Sequence, residues 1–173
     1  EEVSRGLGDV YKRQTSNCAK TRPAPSAASS QPSGTSPVMS EAAGRKPPLA
    51  MVVQSGAVDR VHYALLFAAG AAAMGRDVTL FFTMAGCKAL EGPGSLLPAE
   101  DGVKASDYDA ALVAKGVAGF DELWESLEAL EVRFQACDTG LLAAGVTAPE
   151  VVEVTGVVGF LADVGADAQV VWI

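Results

Sequence analysis

The stretch LAMVVQSGAVDRVHYALLFAAGAAAMGRDVTLFFTMAGC, residues 49–87, decides the fold. Leu49 to Gln54 is a short apolar run stopped by Ser55-Gly56, which reads as a buried strand. Asp59 is the expected cap of a helix over Arg60 to Met74, stopped by Gly75. That helix is apolar on most faces (Ala64, Leu65, Leu66, Phe67, Ala68), so it is expected to be largely covered. Val78 to Met84 follows as an unbroken apolar strand ending at Ala85-Gly86-Cys87. Runs without alternation belong to strands covered on both faces, as in parallel sheets.

Downstream the alternation continues. Residues 91–119 contain Gly92, Pro93, Gly94 and Pro98 and read as a long loop, with Tyr108 to Lys115 as a short helix. Connections of this length are often lids or binding loops. Asp121 to Leu130 is amphipathic, with Leu123, Trp124, Leu127 and Leu130 on its apolar side. Val132 to Ala136 reads as a third strand with Cys137 at its end, and Asp138 to Ala144 as a helix stopped at Gly145. Val151 to Thr155 is a fourth strand, Val157 to Val164 a helix and Gln169 to Ile173 a last strand. Repeated strand-helix units predict a three-layer α/β/α domain with a mostly parallel sheet of about five strands.

Upstream the character changes. Residues 1–48 carry seven basic and four acidic side chains, net +3, leaving six basic and seventeen acidic in residues 49–173, net −11. Thr15 to Pro48 is rich in Ser, Pro, Ala and Gly and offers too little apolar surface to offset chain entropy, so residues 1–48 read as a disordered tail. Within residues 1–14, Gly8-Asp9-Val10-Tyr11-Lys12-Arg13-Gln14 looks like a translated sequencing adaptor, which makes Met39 the expected natural start. The alternatives are an authentic extension and, more remotely, a transit peptide. Cys18 is set aside with this segment.

Composition narrows function. The chain has 173 residues and a net charge of −8, with one His and three Cys. An acidic body repels phosphate backbones, so nucleic acid is not an expected partner. No run approaches the ~20 apolar residues of a membrane span. Two body cysteines fit neither a disulfide scaffold nor a multi-ligand zinc module. No phosphate loop and no Ser nucleophile motif is present, so no cofactor and no metal are expected. The acidic cluster Asp121, Glu122, Glu125, Glu128 and Glu131 reads as a solvated helix face.

In a parallel sheet, ligands and reactive groups gather at the carboxyl ends of the strands. Both body cysteines fall there. Cys137 stands at a strand end and a helix start, where free N–H groups and the helix dipole favour a thiolate. The adjacent Asp138 opposes that charge. Cys87 is the second candidate, as a partner thiol or a separate reactive site. For each the alternative is a small buried hydrophobe. His62, in the first turn of the first helix, faces the same edge and is the third candidate, as base or proton carrier. Its alternative is a structural histidine.

These residues carry a resemblance. Residues 49–173 resemble the DsrE/DsrF-like sulfur-relay domains, which include the TusD-type subunits. The likeness rests on Ala71-Ala72-Ala73-Met74-Gly75, Asp77 to Thr83, Phe120-Asp121-Glu122-Leu123 and Val154-Thr155-Gly156. Its most telling segment is Cys137-Asp138-Thr139-Gly140-Leu141-Leu142-Ala143-Ala144-Gly145-Val146. Sulfur-carrying members place a Cys at a strand end before such a helix, and Cys137 matches that position. The branch called peroxiredoxin-like, with an extra Cys near Cys87, is the most similar. The resemblance implies a cytoplasmic sulfurtransferase or sulfur carrier that holds sulfane sulfur as a persulfide on Cys137. It also implies sulfur-donor and sulfur-acceptor proteins as partners, and homo- or hetero-oligomers. Members without a sulfur-carrying Cys exist, so the alternative is a non-catalytic module binding a small ligand or a protein. A peroxidase is a third reading, for which no peroxidatic motif is present.

Overall fold

The computed structural model describes residues 46–173. The readings of residues 1–45, with the adaptor-like stretch, Met39 and Cys18, lie outside the described residues, while Pro48 of the expected tail accepts the Gln169 N–H at 2.9 Å. Five strands form one sheet, β1 (Leu49–Val53), β2 (Val78–Phe82), β3 (Arg133–Cys137), β4 (Glu153–Thr155) and β5 (Gln169–Trp172). All neighbours pair in parallel, in the order β4-β3-β2-β1-β5. The helices are α1 (Val58–Ala73), α2 (Ala105–Ala114), α3 (Phe120–Ala129), α4 (Asp138–Ala144) and α5 (Val157–Val164). The three-layer parallel architecture read from the sequence is the one observed.

The topology follows from the handedness of parallel crossovers. From β1 to β4 the chain steps steadily toward one edge. It then returns across the whole sheet to place β5 beside β1. A right-handed crossover in the reverse direction must run over the opposite face. The core divides accordingly. Leu49, Met51, Val53, Leu80, Phe82, Phe134 and Ala136 point to one face and pack with residues of α1 and α3. Ala50, Val52, Phe81 and Cys137 point to the other and pack with Phe160 of α5. Phe81 and Phe160 stack at 4.3 Å between ring centroids. On the first face Trp124 of α3 stacks on Phe134 at 4.7 Å.

Some boundaries differ from the sequence reading. Helix α1 begins at Val58, and its cap is Ala57 with no side-chain hydrogen bond. Asp59 lies inside the first turn, where Oδ2 accepts the Glu100 N–H at 3.4 Å. Strand β2 stops at Phe82, and Met84–Glu91 forms a 3-10 helix. Residues 91–119 are more ordered than a loop, with a 3-10 turn at Pro93–Ser95 and α2 beginning at Ala105. Strand β4 is only three residues long.

Candidate functional site

The carboxyl edge is built by close approach of three turns. A Cβ on Gly86 would lie 2.0 Å from the Val53 carbonyl oxygen, and one on Gly140 would lie 2.6 Å from the Met84 nitrogen. Both glycines therefore let backbones touch where a side chain would separate them. Gly86 N–H donates to the Gln54 carbonyl at 2.9 Å. Met84 sits at φ 49°, a conformation costly for a residue with a Cβ and imposed by its surroundings. The 3-10 segment is thereby pressed onto the ends of β1 and β2 and against α4.

Cys87 lies inside that segment rather than at a strand end. It is buried and packs in the core with α1 and α3. Burial, and secondarily the charge of Cys137, push its thiol up to about 11 from an ordinary 9.0. A thiol so held is protonated at neutral pH and a poor nucleophile. Cys137 packs in the smaller core on the opposite face of the sheet. The two thiols thus share one edge of the sheet and interact electrostatically, but they sit in different core clusters.

Cys137 ends β3 and is the N-cap of α4, pairing in register with Thr155. Its sulfur makes no cap hydrogen bond. The expectation that the first N–H groups of α4 cradle this sulfur is not what the structure shows: the Thr139 N–H donates to Asp138 Oδ1 at 2.6 Å. The Cys137 Sγ–H itself donates to the same Asp138 oxygen at 3.7 Å. Two residues earlier on that face lies Gln135, fully buried, whose Nε2 donates to Glu153 Oε2 at 3.1 Å and Asp163 Oδ2 at 2.9 Å. It ties β3 to β4 and α5. Sequence reasoning passed over Gln135, although a glutamine within an apolar strand signals a paired amide.

His62 is buried, with Nε2 2.8 Å from the Ala118 carbonyl oxygen and its ring edge-on to Tyr108 at 6.3 Å. No hydrogen bond joins it to either thiol among the described residues. These contacts fasten α2 and the α2–α3 connection to α1.

A cleft of about 420 Å³ opens between α1 and β5, lined by Asp59, Arg60, Tyr63, Phe67, Glu100, Val171 and Ile173. It was not foreseen, because its walls come together only when β5 pairs with β1. Arg60 and Glu100 form an ion pair at its rim. Among the described residues no group of His, Cys, Asp and Glu is arranged to hold a metal. None of their helices is long and apolar enough to cross a membrane.

An all-parallel sheet crossed by one returning connection, with a buried thiol where a central strand becomes a helix, defines a class of small α/β domains. Within that class, the chain belongs to the DsrE/DsrF-like family, which matches residues 49–169. That family is generally associated with sulfur relay. No curated protein matches the chain.

Proposed function

We propose that the protein is a sulfur carrier or sulfurtransferase that holds sulfane sulfur as a persulfide on Cys137. The observation that carries this reading is the place of Cys137, at the β3–α4 turn of a DsrE/DsrF-like domain. Cys137 Sγ would attack the outer sulfur of a donor persulfide and become Cys–S–SH, and an acceptor thiol would then remove that sulfur. Cys87 is a poor nucleophile at neutral pH, since burial pushes its thiol up to about 11. Its place in this reading is that of a partner thiol whose charge state responds to Cys137. His62 serves by fixing α2 and its connection through Ala118 and Tyr108.

The same reading takes donor and acceptor proteins as partners in the cytoplasm, and a homo- or hetero-oligomeric assembly. The Cys137 face offers apolar area for such contacts: Val157, Val158 and Leu161 of α5 and Trp172 of β5 are all exposed. Exposed apolar groups gathered in this way mark interaction surfaces.

A second reading, a ligand-binding module, is favoured by one observation. The cleft lies between α1 and the carboxyl end of β5, beside the place where the strand order reverses. In open α/β sheets ligands bind at that point.

Intact mass spectrometry of the full chain after incubation with a persulfide donor separates the two. Gain of one sulfur atom that vanishes in Cys137→Ser and persists in Cys87→Ser supports the carrier. A folded protein that gains no sulfur in any form leaves the binding module. Hydrogen peroxide turnover would be needed to sustain a peroxidase.

A further inference from the structure

Cys137 is 4% exposed, and among the described residues the only hydrogen-bond partner of its thiol is Asp138, which is exposed. The Asp138 carboxylate is held in place for this contact. Oδ1 accepts from the Thr139 N–H at 2.6 Å and from Thr139 Oγ1 at 3.2 Å. Across from it stands Gly156, where a Cβ would lie 3.9 Å from Oδ1, and Asp138 remains exposed. The arrangement links a buried thiol to solvent through one oriented base. Read by charge alone, an adjacent carboxylate opposes thiolate formation. Read by geometry, it is an acceptor aimed at the proton that must leave before the sulfur can attack.

We propose that Asp138 is a catalytic residue, the general base for Cys137, which rests on the sulfur-transfer reading above. As Sγ attacks a donor R–S–SH, the thiol proton passes to Asp138 Oδ1. A bond forms between Sγ and the outer sulfur, and the donor S–S bond breaks. Its electron pair stays on the inner sulfur, which then takes the proton from Asp138. The products are R–SH and Cys137–S–SH, with no oxidant or reductant consumed. The other titratable groups around the thiol are Cys87 on the 3-10 segment, and Glu153 of β4 and Asp163 of α5, both bound to the Gln135 amide.

The test is the pH profile of sulfur loading, resolved to the Cys137 peptide by mass spectrometry, for the unaltered chain and Asp138→Asn. Asparagine still accepts the Thr139 N–H, so the start of α4 is kept; Asp138→Ser, whose hydroxyl also accepts a hydrogen bond, replaces it if the first variant does not fold. In the variant only the thiolate reacts, so its rate falls about tenfold per pH unit on the acid side, whereas the unaltered chain stays nearly level. The variant therefore falls behind the unaltered chain by a factor that grows about tenfold per pH unit toward acid, and the two converge in alkali. Parallel profiles would reduce Asp138 to a structural cap, and a faster variant at neutral pH would make it an electrostatic brake; either result overturns the proposal. If the unaltered chain takes up no sulfur at any pH, the sulfur-transfer reading fails. Iodoacetamide alkylation of Cys137 in the same two proteins then decides the role of Asp138 by the same difference in slope.

Discussion

Cys87 and Cys137 follow neighbouring strands and reach the same edge of one sheet, yet the chain treats them differently. Cys87 is closed in by backbone: Gly86 against Val53, Gly140 against Met84, and a 3-10 turn folded over the end of β2. Cys137 is closed in by side chains, chiefly the Phe81–Phe160 stack, and keeps one polar contact that leads outward. Both thiols are buried, so burial does not distinguish them. What differs is whether a proton has somewhere to go. One edge of a parallel sheet thus holds a thiol sealed by backbone beside one that keeps a polar contact to an exposed carboxylate.

The comparison breaks most severely at Gly86. Gly86→Ala sets a methyl 2.0 Å from the Val53 carbonyl, so the 3-10 segment must lift from β1. The expected outcome is a loss of about 4 kcal/mol or more in urea unfolding, with Cys87 newly open to alkylation. Phe160→Ala attacks the other side of the comparison. It removes the ring stacked on Phe81 and should cost about 3 kcal/mol, with faster alkylation of Cys137 and no change at Cys87.

The protonation of Cys87 gives a smaller effect with a defined direction. Its thiol titrates near 11 when folded against 9.0 for an ordinary cysteine. Above pH 9.0 the unfolded chain loses this proton while the folded chain keeps it, so stability is whole below that point and drains away toward pH 11. The loss amounts to about 2 kcal/mol. Unfolding midpoints measured across that range should fall in the unaltered chain by that much more than in Cys87→Ala. Smallest is His62→Phe, which leaves the half-buried Ala118 carbonyl without its donor and costs about 1 kcal/mol. Sulfur loading at Cys137 should survive it; a loss of loading in the folded variant would bring His62 back into the chemistry.

Much of this frame was legible in the residues. The β1 and β2 runs are short and mostly apolar without alternation, because both faces of those strands are covered. Helices α4 and α5 begin and end where their sequence signals lie, at Cys137, Gly145, Gly156 and Gly165. The 3-10 helix over Met84–Glu91 was not legible, since it depends on two backbone contacts made by residues far away in sequence. Asp59 reads as a cap by local preference, but its carboxylate is drawn to the Glu100 backbone across the cleft. At the thiol, sequence supplied the neighbour Asp138 and its charge but not its direction. Only the fold turns that carboxylate toward the sulfur and spends the Thr139 N–H on holding it there.

The return of the chain across the sheet bears on how the protein comes into being. Strand β5 pairs with β1 through Leu49↔Gln169, so the earliest of the described strands is completed by the latest of them. The β1–β2 and β2–β3 pairings close shorter stretches of chain. Contacts that close so long a loop form slowly, because its entropy must be met before pairing repays it. During synthesis β1 therefore stands with one edge unpaired and the α1–β5 cleft without its second wall, until the segment around Trp172 has left the ribosome. A chain stalled or cut short before residue 169 keeps both thiols but exposes an apolar edge, the kind of surface on which nascent chains aggregate.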